Sequence, residues 1–260
     1  MTALTICSWN VNGLRATIKG GFLDTWLAAT RPDIVGMQEV KATPTQVPHA
    51  AWDSLGYAST WHIAQRAGYS GALLLSLPQP KSVRCGLGVP EFDAEGRLIE
   101  AEYETFTLLT SYFPNAGRGV ERMAYKHEYF AAFLARCNEL RAQGRSLIFM
   151  GDMNVAHHEI DVARPDEALK GTGFLPEERL WIDRFIEHGY VDTFRALNPD
   201  TRDAYSYWDA WRKRRARNIG WRIDYVFVSE DLMPRVKRAF IQPEMMGSDH
   251  CPVGIELELP

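Results

Sequence analysis

SLIFMGDMNVAHHEID, residues 146–161, runs four apolar residues, Leu147 to Met150, into Asp152, Asn154, His157, His158, Glu159 and Asp161. Unbroken apolarity, in place of alternation, marks a strand buried on both faces, which requires a layer of structure on each side. A buried strand that stops in a loop of carboxylates, amides and imidazoles marks a site on a rigid scaffold. Similar runs recur as LTICSW, DIVGMQ, GALLLSL, TFTLLTSYF, DYVFVS and VGIELEL. Helical segments interleave with them. GGFLDTWLAAT puts Phe22, Leu23, Trp26 and Leu27 on one face and stops before Pro32. ERMAYKHEYFAAFLARCNELRAQG and PEERLWIDRFIEHG carry helical spacing and end at Gly144 and Gly189. No linker divides the chain, so the expectation is α/β in a single domain over residues 1–260.

The totals narrow the class. The 260 residues are 46% hydrophobic and 24% charged, a globular composition. No apolar run approaches bilayer length and no leader opens the chain, so no membrane partner and a cytoplasmic location are expected. Four scattered cysteines without a CxxC pair argue against a disulfide scaffold or a thiolate zinc site. The net charge of −4 gives no hint of nucleic acid, but RKRRAR at 212–217 lies among Trp208, Trp211 and Trp221. Basic groups meet phosphates and rings stack on bases, whereas a solvated loop over core tryptophans reads the same.

The polar residues fall at strand ends. Asn10 and Asn12 follow the first strand, Glu39 the second, Tyr112 and Asn115 the run TFTLLTS, and Asp152 and Asn154 the run SLIFM. Asp224 leads into DYVFV, and Asp249 and His250 precede the last strand. If these ends converge, Glu39, Asp152, Asp224 and Asp249 share one cleft with a histidine and several amides. Carboxylates so crowded repel and hold protons unless a cation neutralises them. Oxygen donors without cysteine favour Mg²⁺ or Mn²⁺, which points to metal-assisted phosphoryl hydrolysis. The run HHE does not make a zinc protease, because position 162 is Val where HExxH needs its second His. His157 and His158 read as loop or packing residues with diverging side chains, and Cys7 and Cys251 as core. No GxSxG, P-loop or dinucleotide fingerprint is present.

The set resembles the exonuclease III family of apurinic/apyrimidinic (AP) endonucleases within the endonuclease/exonuclease/phosphatase superfamily. The matching pieces, in family order, are SWNVNGLRA, MQEVK, GYSG, SYFPNAGRG, GDMNVAHHEID, GFLPEER, GWRIDYVFVS and GSDHCPV. NAGRG and the spacing look closer to the animal-type branch. The resemblance implies a four-layer αββα sandwich of two packed mixed sheets, and Mg²⁺-dependent hydrolysis of DNA 5′ to an abasic site, with Mn²⁺ substituting. It also implies 3′-5′ exonuclease and 3′-phosphodiesterase or phosphatase activity on blocked 3′ ends of duplex DNA, by a monomer, nucleoid-associated if bacterial. Glu39 would be the main metal ligand, with Asn12, Asp152, Asn154, Asp249 and His250 in or near the shell. Asp152 would deprotonate the attacking water, Asn154 would orient it and Asn10 would order the network. His250, held by Asp224, would donate to a phosphate oxygen that Tyr112 also contacts.

Tyr207, Trp221 and Ile223 match the abasic-sugar pocket, and Arg15, Gly68, Tyr69, Asn115, Arg118 and Arg122 match DNA contacts. Trp211 stands where the animal-type enzymes carry a groove-entering Met, opposite Arg118. Lys213, Arg214 and Arg215 are expected to hold the backbone with Arg212. Three departures are Tyr207 for the usual Phe, and Ala168 and Gly171 where amides contact phosphate. Two rivals remain: a phosphodiesterase of the same superfamily acting on inositol phosphates or sphingomyelin, and a catalytically silent DNA-binding module.

Overall fold

The computed structural model describes residues 2–117, 119–209 and 213–259. The strands in chain order are β1 (Thr2–Asn10), β2 (Ile34–Gln38), β3 (Ala58–His62), β4 (Ala72–Ser76), β5 (Ser82–Cys85) and β6 (Leu98–Glu102). They continue as β7 (Thr107–Tyr112), β8 (Leu147–Asp152), β9 (Tyr190–Asp192), β10 (Asp224–Ser229), β11 (Val236–Ile241) and β12 (Val253–Leu259). The shorter helices α4 (Pro90–Asp93), α6 (Pro165–Ala168) and α8 (Thr193–Leu197) lie in the connections between strands. Two six-stranded sheets result, ordered β11-β12-β1-β2-β4-β3 and β5-β6-β7-β8-β10-β9. Each has one parallel pair at its centre, β1 with β2 and β7 with β8, and is antiparallel elsewhere.

The opening stretch explains the layering. Along β8, Leu147 and Phe149 join a core with helices α5 (Val120–Ala142) and α7 (Pro176–Glu187). Ile148 and Met150 face the other way, into a core with Ile6, Ile34 and Leu74 of the first sheet. A strand whose two faces meet different apolar layers has no reason to alternate. On the far side of the first sheet, α1 (Leu14–Lys19), α2 (Phe22–Thr30) and α3 (Ala50–Asp53) supply Leu14, Leu23, Trp26, Leu27 and Trp52 to a third core. The order is helix, sheet, sheet, helix, as the sequence led us to expect. Two glycines permit the close approaches. A Cβ on Gly36 would lie 2.2 Å from Thr110 Oγ1 of the facing sheet, and one on Gly151 would lie 1.8 Å from the Ser111 carbonyl oxygen.

Five strands carry no apolar run and went unread. β5 is exposed throughout, β3 and β11 are edge strands broken by polar residues, and β9 is only three residues long. β6 interrupts its run with Glu100, which is satisfied by Arg136 of α5. Phe22 departs from the expected buried face. It is partly exposed and covers the backbone at Gly247 instead.

Candidate active site

Both parallel ladders end at the same edge. Register pairs Asn10 with Gln38 in one sheet and Tyr112 with Asp152 in the other, and antiparallel β10 sets Asp224 opposite Asp152. Past these ends the chain takes left-handed turns at Asn12, Glu39, Lys41 and Asn154, with φ of 41°, 51°, 49° and 52°. Such conformations are costly for residues other than glycine and cluster where function fixes them.

Asn10 ties the two sheets together. Its Nδ2 donates to Glu39 Oε1 and to Asp152 Oδ2, both at 2.9 Å, and its Oδ1 accepts the Asn12 N–H. Asp152 Oδ1 accepts the Asn154 N–H at 2.8 Å, and Asn154 Nδ2 donates to the Phe113 carbonyl. Asn115 Nδ2 donates to Asn154 Oδ1 at 3.0 Å. His250 Nδ1 lies 2.8 Å from Asp224 Oδ2, which also accepts the Ser206 hydroxyl, and His250 Nε2 lies 3.8 Å from Asp152. Glu39, Asp152 and His250 each present a ligand atom within 4.8 Å of the others, a group able to hold a metal ion. Asn12 Nδ2 donates to both Asp249 oxygens, while Lys41 Nζ donates to Asn12 and pairs with Glu39 at 2.7 Å.

Burial drives the Asp152 carboxyl well above the usual range, and the Asp224 and Glu39 charges push the same way against His250. For His250, burial alone would favour the neutral ring, but Asp224 and Asp152 outweigh it and carry it up to about 10. Glu39 is lowered: burial opposes this, yet the Asn10 amide and Lys41 prevail. Burial, then the Glu39 and Asp152 charges, hold the Tyr112 phenol well above its ordinary value. Arg97 lies beneath that ring, its guanidinium 4.6 Å from the centroid.

These groups open on a cleft of about 280 Å³ lined by Glu39, Tyr112, Asn115, Asp152, Asn154, Asp249 and His250. Tyr207, Trp221 and Ile223 form one wall, with the Tyr207 ring 4.7 Å from that of His250. Asp224 departs from expectation: it is buried behind His250 and does not line the cleft. Arg214 of the basic loop lines it, and so do Thr172, Gly173 and Asp209, which the sequence does not single out because small or charged loop residues carry no pattern of their own. Ala168 is buried with Phe174, Val162 and Ile223 and packs the wall from behind, while an added Cβ at Gly171 would meet nothing.

Arg15, Gly68 and Tyr69 gather around a second hollow of about 290 Å³, and the Tyr69 hydroxyl accepts from Arg122 Nη2 at 2.9 Å. Of the basic loop, Lys213 is exposed and Arg214 reaches the cleft, but Arg215 is structural. Its guanidinium donates to the Ser248, Pro243 and Met245 carbonyls and covers Trp208, so it is not free for a backbone phosphate. Arg118, Trp211 and Arg212 lie outside the described residues. His157 and His158 do not diverge; their ring centroids are 3.6 Å apart, with His157 turned onto Asp183 and the His158 N–H held by Asp161.

Behind the wall, Asp161 accepts from Arg222 Nε at 2.7 Å and Arg195 Nη2 at 2.6 Å. Burial opposes ionisation there, but Arg222 outweighs it and holds the Asp161 carboxyl well below the carboxylate range. Asp161→Asn should therefore lower stability by about 3 kcal/mol, because the buried Arg222 guanidinium is left with Asp192 as its one carboxylate partner. A depressed folded pKa stabilises above the unfolded value of about 3.9 and loses that contribution as pH falls. Denaturant titrations of both proteins should accordingly converge in acid; a gap that stays constant below pH 4 would contradict the ion-pair account.

Residues 7–250 match the Endonuclease/Exonuclease/phosphatase family. The chain is 41% identical over 256 residues to an exodeoxyribonuclease of Bacillus subtilis, covering 98% of this chain and 100% of that one. It is 40% identical to a DNA repair nuclease of Danio rerio, covering 98% of this chain and 82% of that one. Among solved structures it is similar to a 3′ phosphatase from Neisseria bound to product DNA hairpin, with a TM-score of 0.90 at 26% identity, covering 98% and 100%. An AP endonuclease from Archaeoglobus fulgidus gives a TM-score of 0.87 at 27% identity, with the same coverage.

Proposed function

The chain belongs to the endonuclease/exonuclease/phosphatase family, and from that membership we propose that it is a single-domain, monomeric enzyme that cuts duplex DNA 5′ to abasic sites with Mg²⁺ as its cofactor. It is a phosphodiester hydrolase of the DNA-repair nuclease kind. The observation that carries the finer reading is the joining of Asn10, Glu39, Asp152, Asn154 and the His250–Asp224 pair in one cleft beside the Tyr207–Trp221–Ile223 wall.

The donor set fits a hard divalent cation. Oxygen donors dominate, no cysteine belongs to the cluster, and burial leaves Asp152 reluctant to ionise without added positive charge. Glu39 would be its main holder, with Asp152, Asn154 and His250 nearby and Asn12 and Asp249, bonded to one another, in or near the shell. Such a cation supplies positive charge at the scissile phosphate.

The chain's own groups divide the remaining work. Asp152, fixed by Asn10 and the Asn154 N–H, points a carboxylate at the incoming water and takes its proton. Asn154, itself held by Phe113 and Asn115, orients that water. His250 stays protonated through neutral pH and donates to a nonbridging phosphate oxygen, as charge stabilisation there requires. Tyr112 keeps its proton and offers an O–H donor to the same phosphate. The aromatic and apolar wall suits a flipped sugar without a base.

Cleavage of matched duplexes carrying an abasic site, a recessed 3′ end or a 3′-phosphate tests the reading. Incision at the abasic site should dominate, and a phosphoinositide or sphingomyelin should not be hydrolysed; the reverse preference would reject a DNA substrate. Trp221→Ala should weaken abasic-duplex binding roughly tenfold, about 1.4 kcal/mol, in the range of stacking contributions. Melting temperature on the same preparation separates this from unfolding, and unchanged affinity per folded molecule would remove Trp221 from the pocket.

A further inference from the structure

Beneath the site lies an ion pair that the proposed chemistry does not use. Lys126 of α5 is 1% exposed and Glu178 of α7 is fully buried, with Nζ and Oε1 2.5 Å apart. Burying both charges is expensive, and an apolar pair of the same volume serves stability as well or better. The pair therefore needs another reason to exist, and its remaining hydrogen bonds supply one. Lys126 Nζ also donates to the Asn154 carbonyl oxygen at 2.9 Å. Glu178 accepts the Thr172 hydroxyl at 2.8 Å and the Gly173 N–H at 2.5 Å, and both of these residues line the cleft. Asn154 is a non-glycine residue at φ 52°, so its backbone rests in a conformation that the surroundings must impose. Asp152 holds its N–H and Lys126 holds its carbonyl, which fixes both peptide planes around it.

We propose that Lys126 and Glu178 are a positioning pair, which locks the Asn154 backbone and the Thr172–Gly173 wall in register so that the Asn154 amide meets the attacking water. The inference rests on the role assigned to Asn154 above. Neither side chain lines the cleft, so the pair acts through Asn154 and the wall and touches no substrate. Misplacement of about an ångström at a reacting centre is enough to cost one to two orders of magnitude in rate.

The test is a cycle between the pair and Asn154, read as single-turnover rate and as KM on an abasic duplex. Lys126→Met alone strands a buried carboxylate and is at risk of misfolding, so the principal variant is Lys126→Met with Glu178→Gln, which removes both charges together. In the Asn154 background this double variant should lose about tenfold in single-turnover rate with KM little changed. In an Asn154→Ala background it should change the rate by less than about twofold, because the pair and the wall it sets reach the attacking water through the Asn154 amide, which is already gone. A loss of equal size in both backgrounds would mean that the pair merely supports the fold, and the proposal would be wrong. Wild-type rate in the double variant would also overturn it. If Asn154→Ala itself cut at the wild-type rate, the assigned role of Asn154 would fail first and the positioning pair with it.

Discussion

Asp152→Asn should reduce strand cleavage by about 10²-fold or more while abasic-DNA affinity stays within a small factor of wild type. Three proposed catalytic side chains surround the carboxylate: Asn10 and Asn154 donate to it, and His250 Nε2 lies 3.8 Å away. An amide at this position keeps the shape but turns one acceptor into a donor, which then faces the Asn10 and Asn154 amide donors. The site loses its base and acquires a hydrogen-bond conflict at the same atom. Binding, by contrast, loses only one negative charge near a polyanion, which does not weaken attachment. Quenched-flow cleavage beside a gel-shift titration distinguishes the two. A variant cutting at more than a tenth of the wild-type rate would show that another group takes the proton.

Chelation should have the largest effect of all. Full activity should disappear with EDTA and return with Mg²⁺ or Mn²⁺, because no described side chain places a second cation between Glu39 and Asp152. Lys41 pairs with Glu39 from the Asn12 side, and His250 is committed to Asp224. Glu39→Gln should then need roughly ten- to a hundredfold more Mg²⁺ for half-maximal rate, while Lys41 and Asn10 still hold the side chain in place. Turnover undiminished in EDTA would end the cation assignment. A Glu39→Gln enzyme with an unchanged Mg²⁺ midpoint would move the main ligand elsewhere in the cleft.

Much of this was readable because burial leaves an unambiguous trace. β8 and β10 are buried throughout, and their apolar runs place Asp152 and Asp224 at known ends. The edge strands lack that trace: β5 exposes every residue, and β11 carries Lys237 and Arg238 outward, so polarity hid them. Within the site, residues at strand ends were legible and those in loops were not. Thr172, Gly173 and Asp209 have no period, and only the folded chain brings them to the wall. Arg215 illustrates the converse error. A run of basic residues reads as a phosphate surface, yet this guanidinium caps three carbonyls over Trp208, which no one-dimensional pattern discloses. Asp224 bonds His250, and its register places it in the second rank, behind the imidazole.

The pairing of β12 with β1 has a consequence for when the enzyme first exists. Trp9 at the start of the chain donates to the His250 carbonyl, 241 positions later. At ordinary translation speeds that interval takes on the order of ten to fifty seconds. In its last part, after residue 152 is made, the emerging polypeptide carries Asn10, Glu39 and Asp152 but lacks His250 and any β12 partner for one flank of its first strand. On the proposed mechanism, cutting has to wait until His250 and β12 have been made and have joined β1, the same event that completes that side of the first sheet.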